Sequence, residues 1–503
     1  MKYFSALSGN RAIIVLFVIL SLPLLLNHEP WRDEAQAWLI ARDSPDIASI
    51  VRLMGYESSP ALWHFILFPL ARLELPYYSM AVVNFLLILG AIVVFVNYAP
   101  FSKLEKILFS FGYYVFYEYS IIVRNYAVSV LFLFLIALMY RERFNKPVLY
   151  SLLLVVLANT NVHSLVIAII LCCVYVFELV SQKNAGITRS STFSILVLFL
   201  GFLISIYQLQ PPADLNPAFT RWNFELNAYY ISTVPGAVIG AFLPIPQLSI
   251  AFWNKKLFDS LEIIQIVGTF VFLLSLGFFI KKPRPMLIYL LLSAGLFSIF
   301  FFKHSGNPRH HGFVYMIFIF CLWISSGYEE KTLIKNKVIT RLFSQKNLSF
   351  LFAALLFFQL VASSVAFYYE FNYDFSAGKK AAAFLKDNGL INNNTFIATY
   401  PSPMAASILP YIPRPYSRFY YIEYQDYRSF IVWNKEYSLN DHLPVEEVVQ
   451  RVNNATINKD YNKVIIITNS QISASVFSEK YDLIASFDRT IADDESFYIY
   501  QLK

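Results

Sequence analysis

Apolar residues run along most of this chain in stretches long enough for helices, separated by short polar clusters, until about residue 370. A helix needs roughly 20 mostly apolar residues to cross a bilayer, fewer when its ends are anchored. That rule predicts about eleven spans, near 12–27, 79–98, 105–118, 121–139, 148–160, 163–181, 192–208, 260–280, 285–302, 312–327 and 349–369. The third to sixth are short and closely spaced, so any one of them can be a broken helix. Residues 1–370 thus read as a membrane domain, with long polar-containing loops at 28–78 and 209–259.

After residue 370 the period changes and no run is long enough to span. GKKAAAFLKDNG (378–389) reads as a helix stopped by Gly389, and NTFIATY (394–400) as a strand. PVEEVVQRVNNA (444–455) reads as a helix and NKVIIITNS (462–470) as a buried strand. The pattern predicts a soluble α/β domain over 371–503. No glycine-rich phosphate loop and no internal repeat is present in the chain.

The loop 28–78 has helical periodicity of its own. In RDEAQAWLIARD, Ala35, Trp38 and Leu39 recur on one face after Trp31, which predicts a helix lying in the interface with its tryptophans at headgroup depth. DIASIVRLM (46–54) repeats the pattern, and SSPALWHFILFPLARL (58–73) starts with a serine cap and Pro60 in the first turn.

Composition agrees: 57% of the 503 residues are hydrophobic and 15% charged, too apolar for one soluble core and therefore a polytopic membrane protein. Residues 12–26 lack a small-x-small cleavage site and are read as a retained span rather than a signal peptide. The net charge of +7 does not point to nucleic acid, because the cations fall in short clusters between spans. With the N-terminus inside, the inner loops carry Lys103 and Lys106, then Arg141, Arg143 and Lys146, then Lys183 and Arg189, then Lys281, Lys282 and Arg284, and finally Lys331 through Lys346. This alternation puts residues 371–503 outside, with all seven histidines on that side or at its boundary. Cys172, Cys173 and Cys321 lie within apolar runs and form no disulfide framework.

Asp33 and Glu34 are the unexpected residues. Acids in a first helical turn complement the macrodipole. A carboxylate at a membrane surface can also be a base, its basicity raised by low dielectric, within reach of a lipid-borne substrate. Adjacent helical positions diverge by about 100°, so only one of the pair can face a given atom. Arg124 can pair with Glu118 or serve a ligand. His163 lies in a tight turn, where it caps or binds, and Tyr113, Tyr114, Tyr117, Tyr119 and Tyr126 suit an aromatic belt or a sugar platform.

The layout resembles GT-C type glycosyltransferases, a group that includes protein O-mannosyltransferases and the lipid A aminoarabinose transferase. The matching residues are Asp33-Glu34 after the first span, then Ser59-Pro60-Ala61-Leu62-Trp63-His64, which lacks the leading His and one Pro of the family segment. VRNYAVSVLFLFLIALMYRER (123–143), NTNVHS (159–164) and GNPRHHGFVYM (306–316) are similar to later family segments. The resemblance covers roughly residues 10–330. It implies a GT-C-like fold and a multi-pass protein of a bacterial plasma membrane, with the N-terminus cytoplasmic and the C-terminal domain extracytoplasmic. It also implies inverting transfer of a sugar from a polyprenyl-phosphate donor to a hydroxyl of a glycolipid, polysaccharide or protein. Asp33 is then expected as base with Glu34 second, and Arg309, His310, His311, Arg124, Tyr126, His163 and His64 as substrate-binding residues. No cofactor is expected: a divalent metal is possible in the group, but no His or acidic pair here has ligand spacing. The competing class is a transporter or flippase for a lipid-linked sugar, which would show repeated halves and mid-membrane charge.

Overall fold

The computed structural model describes residues 2–181, 188–255, 257–331 and 337–503. α1 (Lys2–Asn27) leads through three short helices, α2 (Arg32–Asp43), α3 (Ile47–Glu57) and α4 (Leu62–Arg72), to α5 (Ser79–Tyr98). Then come α6 (Lys103–Ser110), a π-helix Tyr114–Glu118, a non-helical stretch at 119–125, and α7 (Tyr126–Met139). α8 (Pro147–Ala158), α9 (Val162–Ser181), α10 (Arg189–Gln208), α11 (Pro217–Thr220), α12 (Ala228–Phe242) and α13 (Leu261–Gly277) follow. α14 (Pro283–Phe302), α15 (Pro308–Ser325), α16 (Lys337–Leu342) and α17 (Gln345–Asn372) complete the bundle. Among the described residues, α1 (over Gly9–Asn27), α5, α9, α10, α14 and α17 are long and apolar enough to cross a membrane, and α8, α12 and α13 are shorter apolar helices. The chain is a multi-pass α-helical membrane protein.

Two expectations for the bundle are corrected. The run 105–118 is not one span: α6 stops at Ser110 and the chain re-forms only as a π-turn before the stretch 119–125. Backbone groups freed inside an apolar bundle must find partners, and here side chains supply them. Asn84 of α5, fully buried, donates to the carbonyls of Tyr119 and Ser120 at 3.0 and 3.1 Å. Glu34 accepts the N–H of Val123 at 2.5 Å. Second, the loop 209–259 contains α12, whose Gly-, Ser-, Thr- and Pro-containing sequence hid it. The carbonyls of Gly240 and Ala241 near its C-terminus are taken by Tyr114 Oη at 2.5 Å and Gln359 Nε2 at 2.8 Å, which lets the helix end inside the bundle.

Basic residues of the expected inner loops make contacts among the helix ends there: Arg141 donates to Ser326 Oγ at 3.2 Å and Lys282 to the carbonyl of Tyr328. Arg143 pairs with Glu178 at 2.7 Å and Lys281 with Glu330 at 3.7 Å. Lys183 and Lys335 lie outside the described residues.

The C-terminal domain begins with α18 (Gly378–Asp387), which ends before Gly389 at φ +61°. Its strands β1 (Thr395–Thr399), β2 (Phe419–Tyr421), β3 (Asp426–Arg428), β4 (Lys463–Thr468), β5 (Tyr481–Phe487) and β6 (Phe497–Leu502) form a sheet of order β3-β2-β1-β4-β6-β5. β1 runs parallel to both β2 and β4 and the other pairings are antiparallel. The helix Val445–Thr456 covers one face through Val448, Val449 and Val452.

The other face is completed by α2. Ala35 and Leu39 belong to the same core as Ala381, Leu385, Ile397 and Ile465, while Trp31, Trp38 and Ala41 belong to the membrane-domain core. α2 is therefore an interior helix between two domains. Trp31 and Trp38, each 3% exposed, are packed inside the protein, and the apolar face that periodicity marks is divided between the two domains, Ala35 and Leu39 against one and Trp38 against the other.

His28, just past α1, is sandwiched between two buried carboxylates, with Nδ1 2.8 Å from Glu370 of α17 and Nε2 3.1 Å from Glu34. Burial would lower the imidazole pKa, but Glu34 and Glu370 outweigh it and hold it up to about 10. The stabilisation is complete below pH 6.5 and is lost as pH rises through about 10. His28→Asn should destabilise the detergent-solubilised protein at pH 7 by on the order of 3 kcal/mol, since it leaves two carboxylates facing each other. In thermal unfolding the gap to wild type should shrink above pH 10; equal melting temperatures at pH 7 would rule the sandwich out as a support of the fold.

Candidate functional site

The N-terminus of α2 sits where the two domains and the chain break meet. Asp33 and Glu34 diverge there as helical geometry requires. Glu34, fully buried, turns into the core: besides Val123 and His28, its carboxylate accepts the N–H of Trp31 at 2.9 Å. Asp33 turns the other way, into a cavity of about 200 Å³ that it lines with Arg32, Gln36, Glu57 and Arg124. Pro403, Ala406, Ile431 and Trp433 of the C-terminal domain roof that cavity.

Three guanidinium groups converge on Asp33: Arg124 at 2.7 Å, Arg309 at 3.7 Å and Arg32 at 3.7 Å. Burial alone would raise the Asp33 pKa, but Arg124, Arg309 and Arg32 hold it below its ordinary value. The expectation that low dielectric raises its basicity is thus reversed by cations that the sequence places far away. Arg32 is also gripped from the C-terminal domain, its guanidinium by Asp494 and its backbone N–H by Glu495 at 3.1 Å.

Arg309, in the first turn of α15, is 8% exposed and lies between the rings of Trp31 and Trp253, 5.3 and 5.4 Å from their centroids. Its Nε and Nη1 are buried and have no hydrogen-bond partner among the described residues. Five donor hydrogens in a planar fork, partly unused and walled by indoles, suit an anion with several oxygens.

Arg124 does not pair with Glu118. The intervening stretch is not helical, and Glu118 instead accepts from Tyr113 at 2.8 Å and from Trp253 Nε1 at 3.2 Å. The tyrosines of the broken stretch are buried and tie it to other helices: Tyr117 donates to Glu370 and Tyr119 to the carbonyl of Arg309, both at 2.8 Å. A Cβ on Gly312 would come within 2.2 Å of Tyr119 Oη, so glycine is what lets α15 settle there and present Arg309.

The histidines form a separate group. His310 takes the N–H of Asn307 on Nδ1 at 3.1 Å and stacks on His163 at 5.0 Å, with Tyr126 edge-on at 6.0 Å. His311 meets the carbonyl of Ser305 at 3.0 Å. None of these four residues lines the Asp33 cavity. His64 is buried on α4, and neither ring nitrogen has a partner among the described residues; burial, with Arg124 adding to it, lowers its pKa to about 3. Among the described residues no group of three or more His, Cys, Asp or Glu side chains is placed to hold a metal ion.

Sequence reasoning missed Arg32, Gln36, Glu57 and the roof. Glu57 had a weak signal, an acid at the end of an apolar periodic helix. It receives Gln36 Nε2 at 2.9 Å, and burial pushes its pKa up to about 7.

No family model and no curated protein matches the chain. Among solved structures it is similar to ArnT from Cupriavidus metallidurans, in a crystal structure bound to undecaprenyl phosphate, with a TM-score of 0.53 and 13% identity over 97% of each chain. The chain therefore shares the fold of that structure, from α1 through the C-terminal domain.

Glu57→Gln tests the cavity's electrostatics. A carboxyl whose folded pKa is raised stabilises fully below pH 4.5 and loses that contribution as pH rises through about 7. The variant should equal wild type in thermal stability at pH 4.5 and exceed it at pH 8.5 by on the order of 1 kcal/mol, the side chain being only partly buried. Identical pH dependence would show that Glu57 is solvated.

Proposed function

We propose that this protein transfers a sugar from a polyprenyl-phosphate carrier to an acceptor hydroxyl on the extracytoplasmic side of the membrane. The observation that carries the reading is the convergence of Arg124 and Arg309 on Asp33 Oδ2, with two donor nitrogens of Arg309 unused. The GT-C fold supports it, and the similar ArnT structure holds a lipid phosphate.

In this reading the donor phosphate takes the forks of Arg124 and Arg309, which now hold Asp33. Arginine–phosphate pairs are strong and bidentate. Losing its two cations restores basicity to Asp33 at the moment the donor is seated, so the base is armed by substrate binding. The acceptor oxygen then bonds to the anomeric carbon from the face opposite the phosphate, its proton passes to Asp33, and the carbon–oxygen bond to phosphate breaks. Polyprenyl phosphate leaves with its charge on the two arginines. Glu34 has no part in the proton transfer: its oxygens are committed to backbone and His28. The charged groups gather beside the C-terminal domain rather than at mid-bundle, which favours transfer chemistry over a transport path.

Asp33→Asn should fold and retain polyprenyl phosphate, while transfer from a labelled carrier falls by two or more orders of magnitude, the range that loss of a general base gives. Near-normal transfer by this variant would sink the proposed role of Asp33.

The sidedness is tested separately. Alkaline phosphatase fused after residue 375 should be active and a fusion after Arg141 inactive. The opposite pattern would move the chemistry to the cytoplasm.

A further inference from the structure

At the other end of α2, ten residues and roughly 15 Å from Asp33, a second cleft of about 450 Å³ opens between α4 and the C-terminal domain. We propose that it binds the phosphate of a membrane lipid headgroup. Four guanidinium groups line it, from Arg42, Arg72, Arg414 and Arg418, against the single carboxylate of Asp43. Asp43 is consumed by Arg42, which donates two hydrogen bonds at 2.9 and 2.8 Å, with Arg414 at 3.4 Å. Arg72 donates to the carbonyls of Ser44 and Pro45; these orient its fork without neutralising it. Arg418 is exposed and has no ion pair among the described residues. The cleft therefore carries an excess of three positive charges.

A second observation points to a ligand. Ser44 lines the cleft and is 2% exposed, and its buried hydroxyl has no hydrogen-bond partner among the described residues. A buried hydroxyl left unpaired is costly, and a phosphate oxygen would satisfy it while the arginines fork onto the others.

The surroundings identify the carrier of the phosphate. Leu73, directly after Arg72, is 72% exposed; Leu75 is 41% exposed, and Ile47, two residues past the lining Pro45, is 53% exposed. Bare aliphatic side chains beside a cationic cleft, at the foot of helices that return to the bundle, suit acyl chains below and a headgroup phosphate in the cleft. A soluble anion would have no use for them. The proposal needs the chain to lie in a bilayer but not the transfer chemistry.

The test is native mass spectrometry of the full-length protein, released from nanodiscs holding equal amounts of phosphatidylglycerol and phosphatidylcholine. Wild type should retain phosphatidylglycerol with roughly ten-fold preference. R72Q/R414Q/R418Q should lose that preference, with R418Q alone, at an exposed position, losing part of it. Lysine at the three positions should restore it in part, and Asp33→Asn should leave it unchanged. Equal retention of both lipids by wild type, or an undiminished preference in both glutamine variants, would overturn the proposal. If millimolar inorganic phosphate strips the lipid from wild type, the site is one for soluble anions and the lipid assignment is wrong.

Discussion

An apolar bundle cannot tolerate a bare backbone amide, and the structure turns on how one such amide is answered. The break at 119–125 leaves Val123 N–H inside the bundle, and Glu34 reaches it from another part of the chain. That carboxylate needs its own compensation, which comes from His28, and His28 in turn engages Glu370 on the last long helix. The start of α2, the end of α1, the break and α17 are thereby tied at one point. Because Glu34 is committed inward, its neighbour Asp33 is turned outward, and Arg124, one residue past the anchored amide, is set against it. The acid pair is one device with two ends, a structural end and a chemical end.

The C-terminal domain belongs to the same device. Its Asp494 and Glu495 hold Arg32, and its residues at 403–406 and 431–433 close the cavity over Asp33. α2 ties the two domains together, because Ala35 and Leu39 serve one core and Trp38 and Ala41 the other. A helix apolar on several sides is a buried helix, and this one is buried only when both domains are present.

Much of this was legible in the sequence where a single period governs. The spans at 79–98 and 163–181, the short helices of the first loop, and the helices at 378–387 and 445–456 with the strands at 395–399 and 463–468 follow from hydrophobic spacing alone, while β2, β3, β5 and β6 do not. Gly389 stopped its helix as read. The misses share a cause: the partner lies far along the chain. Nothing local announces that Asn84 will cap carbonyls at 119 and 120, or that Arg309 will reach Asp33. The tyrosines at 113–119 looked like a belt because a belt is the local explanation, whereas they pin the break to α12, α15 and α17. α12 escaped because glycine and proline dilute its apolar signal.

A core divided between Leu39 and the strands after residue 394 also sets a timetable for synthesis. The ribosome makes α2 early and completes its docking surface more than three hundred residues later, a delay of roughly 20 to 70 s at ordinary elongation rates. During that interval the aliphatic face of α2 has no protein partner. The bilayer surface is the apolar phase available to it, and the amphipathic pattern of α2 suits it to wait there.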